Sequence, residues 1–249
     1  MSEDVLRRHH LVWSEKPVLR RLYSSWYREI SRWLQPGLTV EVGGGTGNLK
    51  QFSPHVLCTD IVRMPWLDAL LDAQHLPFRS RSVSNLVLFD VLHHLENVRY
   101  FFDEALRVLV PHGRIVIMDP YVSALSWPIY RFLHPEPMDF RRDPFAIVAP
   151  LAERHPFDAN QAIGRLVFER SYGRFRQLYP QFAKIAHERL AFFAYPLSGG
   201  FDHPSLIPVW FIDPLLRFEE WCRRLGRLFA FRLLVVLEKT ASVGGSAHA

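Results

Sequence analysis

The sequence is poor in cysteine, and it has no long apolar run. Its two cysteines, Cys58 and Cys222, lie far apart in the 249 residues, which excludes a disulfide framework and points to a reducing compartment. No apolar stretch reaches the length of a membrane span, and Arg7 and Arg8 are followed by no apolar signal core, so a cytoplasmic protein is expected. Blocks of like charge are missing as well. Lys and Arg number 30 against 25 Asp and Glu, and the net charge of +5 is spread along the chain, too diffuse for a nucleic-acid surface. Internal repeats are absent. Low complexity is confined to Ser242 to Ala249, and a disordered tail is expected over 241–249.

With 49% hydrophobic residues, the chain can bury one sizeable core and a small appended lobe. Its organising stretch is Leu38-Thr39-Val40-Glu41-Val42-Gly43-Gly44-Gly45-Thr46-Gly47, an apolar run that stops in glycines. Buried parallel strands are continuous apolar runs, and glycines at the carboxyl end of the first one let a ligand approach the backbone. The spacing fails the dinucleotide fingerprint, because Asn48 stands where the third glycine belongs. It also fails the phosphate-cradling P-loop, because no Lys-Ser/Thr follows Gly47. A second strand, His55 to Asp60, ends in an acid placed to accept from ribose hydroxyls.

The pattern Glu41-x-Gly43-x-Gly45-x-Gly47 resembles the first motif of class I S-adenosylmethionine-dependent methyltransferases. Asp72-Ala73-x-x-Leu76-Pro77-Phe78 and Glu104-Ala105-Leu106-Arg107-Val108-Leu109-x-Pro111-x-Gly113 are similar to later signatures of the ubiquinone/menaquinone-type members. These signatures fall in family order across residues 38–119. The resemblance implies a Rossmann-like α/β fold with a seven-stranded, mainly parallel sheet, an antiparallel final strand, an N-terminal helix and C-terminal insertions. It implies S-adenosylmethionine as cofactor. Glu41, Gly43, Gly44, Gly45, Thr46 and Gly47 would hold the amino-acid end, Asp60 the ribose, and Asp72, Ala73 and Gln74 the adenine, with Ile61, Phe89 and Asp90 completing the cofactor site.

The remaining elements follow from pattern. Residues 1–16 read as polar and loosely held. Apolar residues at Leu19, Leu22, Tyr23, Trp26, Tyr27, Ile30, Trp33 and Leu34 make a helical stripe opposite Arg20, Arg21, Arg28 and Arg32. Packing on the domain is the favoured reading for this helix. Contact of residues 17–34 with an anionic membrane surface is the second. Strands are expected at Ala69–Leu71, Val83–Phe89, Arg114–Met118, Ile185–Phe193 and Phe231–Leu237. Helices are expected after Asn97, over 121–133, over 160–182 and over 214–229. The domains read as a cap at 1–36, a cofactor-binding core at 37–120, and a substrate lobe with the last strands at 121–240.

Asp119-Pro120-Tyr121 is read as a turn, not a base-holding motif, since it follows the fifth strand. His93 and His94, just beyond the fourth strand, are the candidate general bases; Glu136, His134, His203 and Tyr195 are looser candidates. Adjacent histidines on a helix point apart, so no metal site is expected. Aromatic insertions including Trp127, Tyr130, Phe132, Phe193 and Trp210 favour a small, lipid-like or carbohydrate acceptor, methylated at oxygen or carbon, with nucleic acid not expected. The alternative is a catalytically silent cofactor-binding scaffold or partner protein that keeps the fold.

Overall fold

The computed structural model describes residues 2–134, 136–148 and 158–241; the expected disordered tail lies outside the described residues from position 242 on. Seven strands form one sheet in the order β3-β2-β1-β4-β5-β7-β6. They are β1 (Thr39–Val42), β2 (Val56–Asp60), β3 (Ala69–Leu70), β4 (Val83–Phe89), β5 (Leu109–Pro120), β6 (Phe182–Leu190) and β7 (Arg232–Lys239). β1 to β5 pair in parallel, and β7 runs antiparallel between β5 and β6. The helices are α1 (Ser2–Glu15), α2 (Pro17–Arg32), α3 (Val98–Val108), α4 (Ser126–Phe132), α5 (Ile163–Arg165), α6 (Tyr172–Leu178), α7 (Ala194–Ser198), α8 (Val209–Trp221) and α9 (Gly226–Phe229).

Residue parity decides the two faces of the sheet, because side chains alternate along a strand. Val40, Val42, Leu86, Leu88, Ile115, Ile117, Leu233 and Val235 join one apolar layer with Phe101, Phe102 and Ala105 of α3. The intervening Val87, Phe89, Val116, Met118, Leu234 and Val236 join the other, with Leu19, Leu22, Tyr23, Trp26, Tyr27 and Ile30 of α2. The α2 stripe is therefore packed on the sheet, and its apolar face is spent there. Contact of residues 17–34 with a membrane would have to do without that face.

Two local expectations are corrected. The first residues are not loose: α1 spans Ser2–Glu15 and buries Leu6 and Trp13. Trp13 packs edge-on against Tyr23 and Tyr27, so two buried side chains suffice to dock an otherwise polar helix. Asp119-Pro120 is not a turn but the end of β5, where Asp119 pairs with Leu233. α3 begins after Asn97 as expected, yet the Asn97 side chain makes no cap bond. It pairs instead with the backbone of Val148.

From β1 the chain steps outward through β2 and β3, then returns to the other side of β1 at β4. Such a switch opens a crevice at the carboxyl ends of β1 and β4.

Candidate active site

The glycine loop lies at that crevice. β1 is buried throughout and gives way to Gly43, Gly45 and Gly47, all with positive φ (71°, 47° and 70°). At Gly43 a Cβ would lie 2.4 Å from Val91 Cγ2, so the neighbouring chain also demands glycine. The Gly44 amide donates to Thr59 O (2.7 Å) and the Gly47 amide to Gly44 O (2.8 Å), which folds the loop back over β2. Glu41 sits directly beneath. A Cβ on Gly44 would come 2.9 Å from Glu41 Oε2, and the Cys58 thiol donates to the same oxygen (2.9 Å). Burial raises the Glu41 carboxyl to about 7, against the pull of that thiol bond, and pushes the Cys58 thiol up. Thr46 Oγ1 accepts from Asn48 Nδ2 at 2.6 Å.

Asp60 ends β2 and closes the loop from the side. Its carboxylate accepts from the Gly45 amide (2.9 Å) and the Val62 amide (2.9 Å). Burial raises its pKa, and these backbone donors hold the charge against that rise. Beside it, Ile61 is exposed. Asp72 lies just past β3, the strand paired with β2. Its Oδ1 accepts from the Gln74 amide (2.8 Å) while the carboxylate stays partly exposed. Ala73 is buried, and the Gln74 side chain turns away to accept from the Asn97 amide (3.0 Å). A carboxylate with acceptor capacity, an exposed aliphatic side chain and a second carboxylate thus follow one another along the edge of the crevice. That donor set fits the ribose, the ring face and the amino group of an adenosine. Above the loop, the Trp66 indole donates to Gly45 O (2.8 Å) and stacks with His10 of α1 (4.2 Å).

The ends of β4 and β5 carry the charged groups. Phe89 is enclosed by Tyr23, Trp26 and Tyr27, so a role toward a ligand falls to its backbone. Asp90 takes a positive φ of 58° and pairs with the Arg232 guanidinium. Arg232 is buried among Tyr195 (4.8 Å) and Trp26 (5.3 Å), and burial lowers its pKa.

His93 is buried, with Nδ1 2.8 Å from Asp119 Oδ1 and Nε2 3.4 Å from Glu136 Oε2. Burial alone would depress its pKa, but the two carboxylates outweigh it and hold it at about 10. Glu136 is pulled down to about 2, since the His93 bond overcomes its own burial. Both ring nitrogens face carboxylates, which favours the charged imidazolium and leaves neither nitrogen directed at an acceptor, so the geometry speaks against His93 as a general base.

The His94 ring stands 4.1 Å from that of His93, rather than pointing apart, and its Nδ1 lies 3.3 Å from Asp158 O. Ligand-type atoms of His93, His94 and Glu136 come within 4.8 Å of one another. In this structure, Glu136 is bonded to His93 and Gln161. Of the looser candidates, His134 packs edge-on against Tyr130, Tyr195 lies under Arg232, and the His203 carbonyl accepts from Lys16 (2.6 Å).

Sequence reading missed Arg232 and the true role of Asp119. An arginine opening an otherwise apolar final strand was the available signal for the first. Nothing local pointed to the second.

The family model described as "Methyltransferase domain" matches residues 40–117. Among curated proteins none matches the chain. Solved structures similar to it include a S-adenosylmethionine-dependent methyltransferase from Archaeoglobus fulgidus, 14% identical with a TM-score of 0.53, covering 92% of this chain and 98% of that one. A methyltransferase from Haloferax volcanii, solved with a methyltransferase activator, is 11% identical with a TM-score of 0.52 and 96% coverage of both chains. A S-adenosylmethionine-dependent methyltransferase from Thermotoga maritima is 13% identical with a TM-score of 0.50, covering 92% and 93%. At these identities the likeness is one of fold. Residues 40–117 match the methyltransferase-domain model, and the chain as a whole has the class I methyltransferase fold of these solved structures.

Proposed function

We propose that the protein transfers the methyl group of S-adenosylmethionine to a small, lipid-like or carbohydrate acceptor, at oxygen or carbon. The observation that carries this reading is the buried Asp60 carboxylate, bonded across the glycine loop to Gly45 and flanked by exposed Ile61. The cofactor supplies a sulfonium methyl already activated for in-line displacement. The chain's own task is then to align the acceptor and exclude water. The aromatic content of the C-terminal insertions favours an apolar acceptor over a polyanion.

Within this reading the Asp119–His93–Glu136 triad is a positioning device that fixes the turn after β4 against the end of β5. A base for a hydroxyl acceptor falls to His94, half-buried beside Glu136. The test is transfer of labelled methyl from S-adenosylmethionine to an acceptor panel of lipids, quinols and glycosides. Incorporation into one class, with kcat reduced about 100-fold in His94→Gln at unchanged cofactor affinity, supports the reading. Cofactor binding without transfer to any class contradicts it and favours the silent scaffold.

A further inference from the structure

α8 presents two opposite faces. Ile212, Leu215 and Glu219 turn inward and are buried. Half a helical turn away, Trp210, Pro214, Arg217 and Trp221 fall on the outer side, where Trp210 is 73% and Trp221 82% exposed. Phe218 flanks this face and packs against Trp221 (6.2 Å). Beyond α8 the exposed series continues through Leu225 and Leu228 of α9 and its approach. The Leu228 carbonyl accepts from the Leu125 amide (2.9 Å), which joins α9 to the start of α4. There Trp127 and Phe132 meet edge-on (6.1 Å), and Phe132 and Leu133 are 71% and 74% exposed. Scattered exposed apolar residues are ordinary; a connected series of tryptophans and phenylalanines is not.

Charge identifies what covers it. The acids of α8 are answered within the fold, Asp213 by Arg21 (2.6 Å) and Glu220 by Arg223 (2.9 Å), while Glu219 is buried against the Phe193 and Ala194 amides. Arg131, Arg217, Arg224 and Arg227 are exposed, and among the described residues none has an ion-pair partner. A symmetric dimer through this face would bring two copies of the same arginine cluster into one interface. An anionic surface with an apolar layer beneath it satisfies both features at once, with indole rings at the headgroup level and guanidinium groups on phosphates. No helix among the described residues is long and apolar enough to cross a membrane, so the contact is peripheral.

We propose that the outer face of α8, with α9 and α4, docks the protein on an anionic phospholipid bilayer. This surface does not use the apolar face of α2, the helix to which the Arg21–Asp213 pair holds α8, and the docking does not depend on methyl transfer.

The test is co-sedimentation of the full chain with phosphatidylcholine vesicles, with and without phosphatidylglycerol, alongside tryptophan emission. Binding to the anionic vesicles with a blue shift, weakening as salt rises, is expected. Binding should fall at least ten-fold in Trp210→Ser/Trp221→Ser and, separately, in Arg217→Gln/Arg224→Gln, with S-adenosylmethionine affinity retained as the check that both variants are folded. Absence of binding to anionic vesicles at low salt overturns the proposal. So does equal binding by the folded variants, or a dimer in solution that dissociates on the tryptophan substitutions.

Discussion

At His93, burial and two carboxylates oppose each other, and the carboxylates prevail. The folded pKa stands at about 10 against an ordinary 6.5, so the proton-linked stabilisation is complete below 6.5 and is lost as pH rises through 10. Glu136 works in the other direction. Its pKa is depressed from 4.5 to about 2, so its contribution is present above 4.5 and is lost as pH falls through 2. The triad therefore stabilises most between these limits, from about 4.5 to 6.5, and keeps part of its effect at neutral pH. Nitrogen-detected NMR of the imidazole should show His93 doubly protonated at pH 8; a neutral tautomer at that pH would contradict the triad. Asp119→Asn removes one partner from a buried cation and should cost about 3 kcal/mol of unfolding free energy. None of this was legible from His93-His94 as a dipeptide. The partners come from the end of β5, 26 residues on, and from a segment after α4, and their approach depends on the fold rather than on spacing.

The glycine loop is the element whose geometry the sequence stated most openly. An apolar strand ending in alternating glycines needs little tertiary information, because the requirement for positive φ and for close approach is local. The structure adds the neighbour that enforces it. Gly43→Ala would meet Val91 Cγ2 at 2.4 Å with a φ of 71°, and should cost about 2 kcal/mol or more, read as a fall in denaturant midpoint at unchanged slope. Gly200 also has a positive φ, 55°, but a Cβ there meets nothing within 4 Å, so Gly200→Ala should cost about 1 kcal/mol. Equal losses at the two positions would show that Val91 does not confine the loop. α1 was illegible for the converse reason. Among its described residues only Leu6 and Trp13 are buried, too few to produce a stripe against a polar background.

Across the whole molecule, residues 38–119 were legible as apolar runs broken by glycines and carried the resemblance that implied the fold, whereas the sheet order and the division into two apolar layers emerge only in the structure. The later half is held by long-range pairs instead. Arg232 reaches back to Asp90, 142 residues earlier, and Tyr130 donates to Phe231 O at 2.9 Å across 101 residues. Such closures fix where the insertions sit, but leave no periodic trace. They also leave α8 and α4 facing outward with apolar residues that pattern alone assigns to a substrate lobe.

The central claim is that this crevice is an adenosine-binding site organised by Asp60. Calorimetric titration with S-adenosylmethionine and with S-adenosylhomocysteine tests it most directly, in the unmodified chain and in Asp60→Ala and Asp72→Ala. The account predicts saturable binding of both ligands, weakened at least about ten-fold in each variant, as loss of hydrogen bonds to a charged acceptor requires. Unchanged affinity in folded Asp60→Ala, or no binding of either ligand by the unmodified protein, would contradict it.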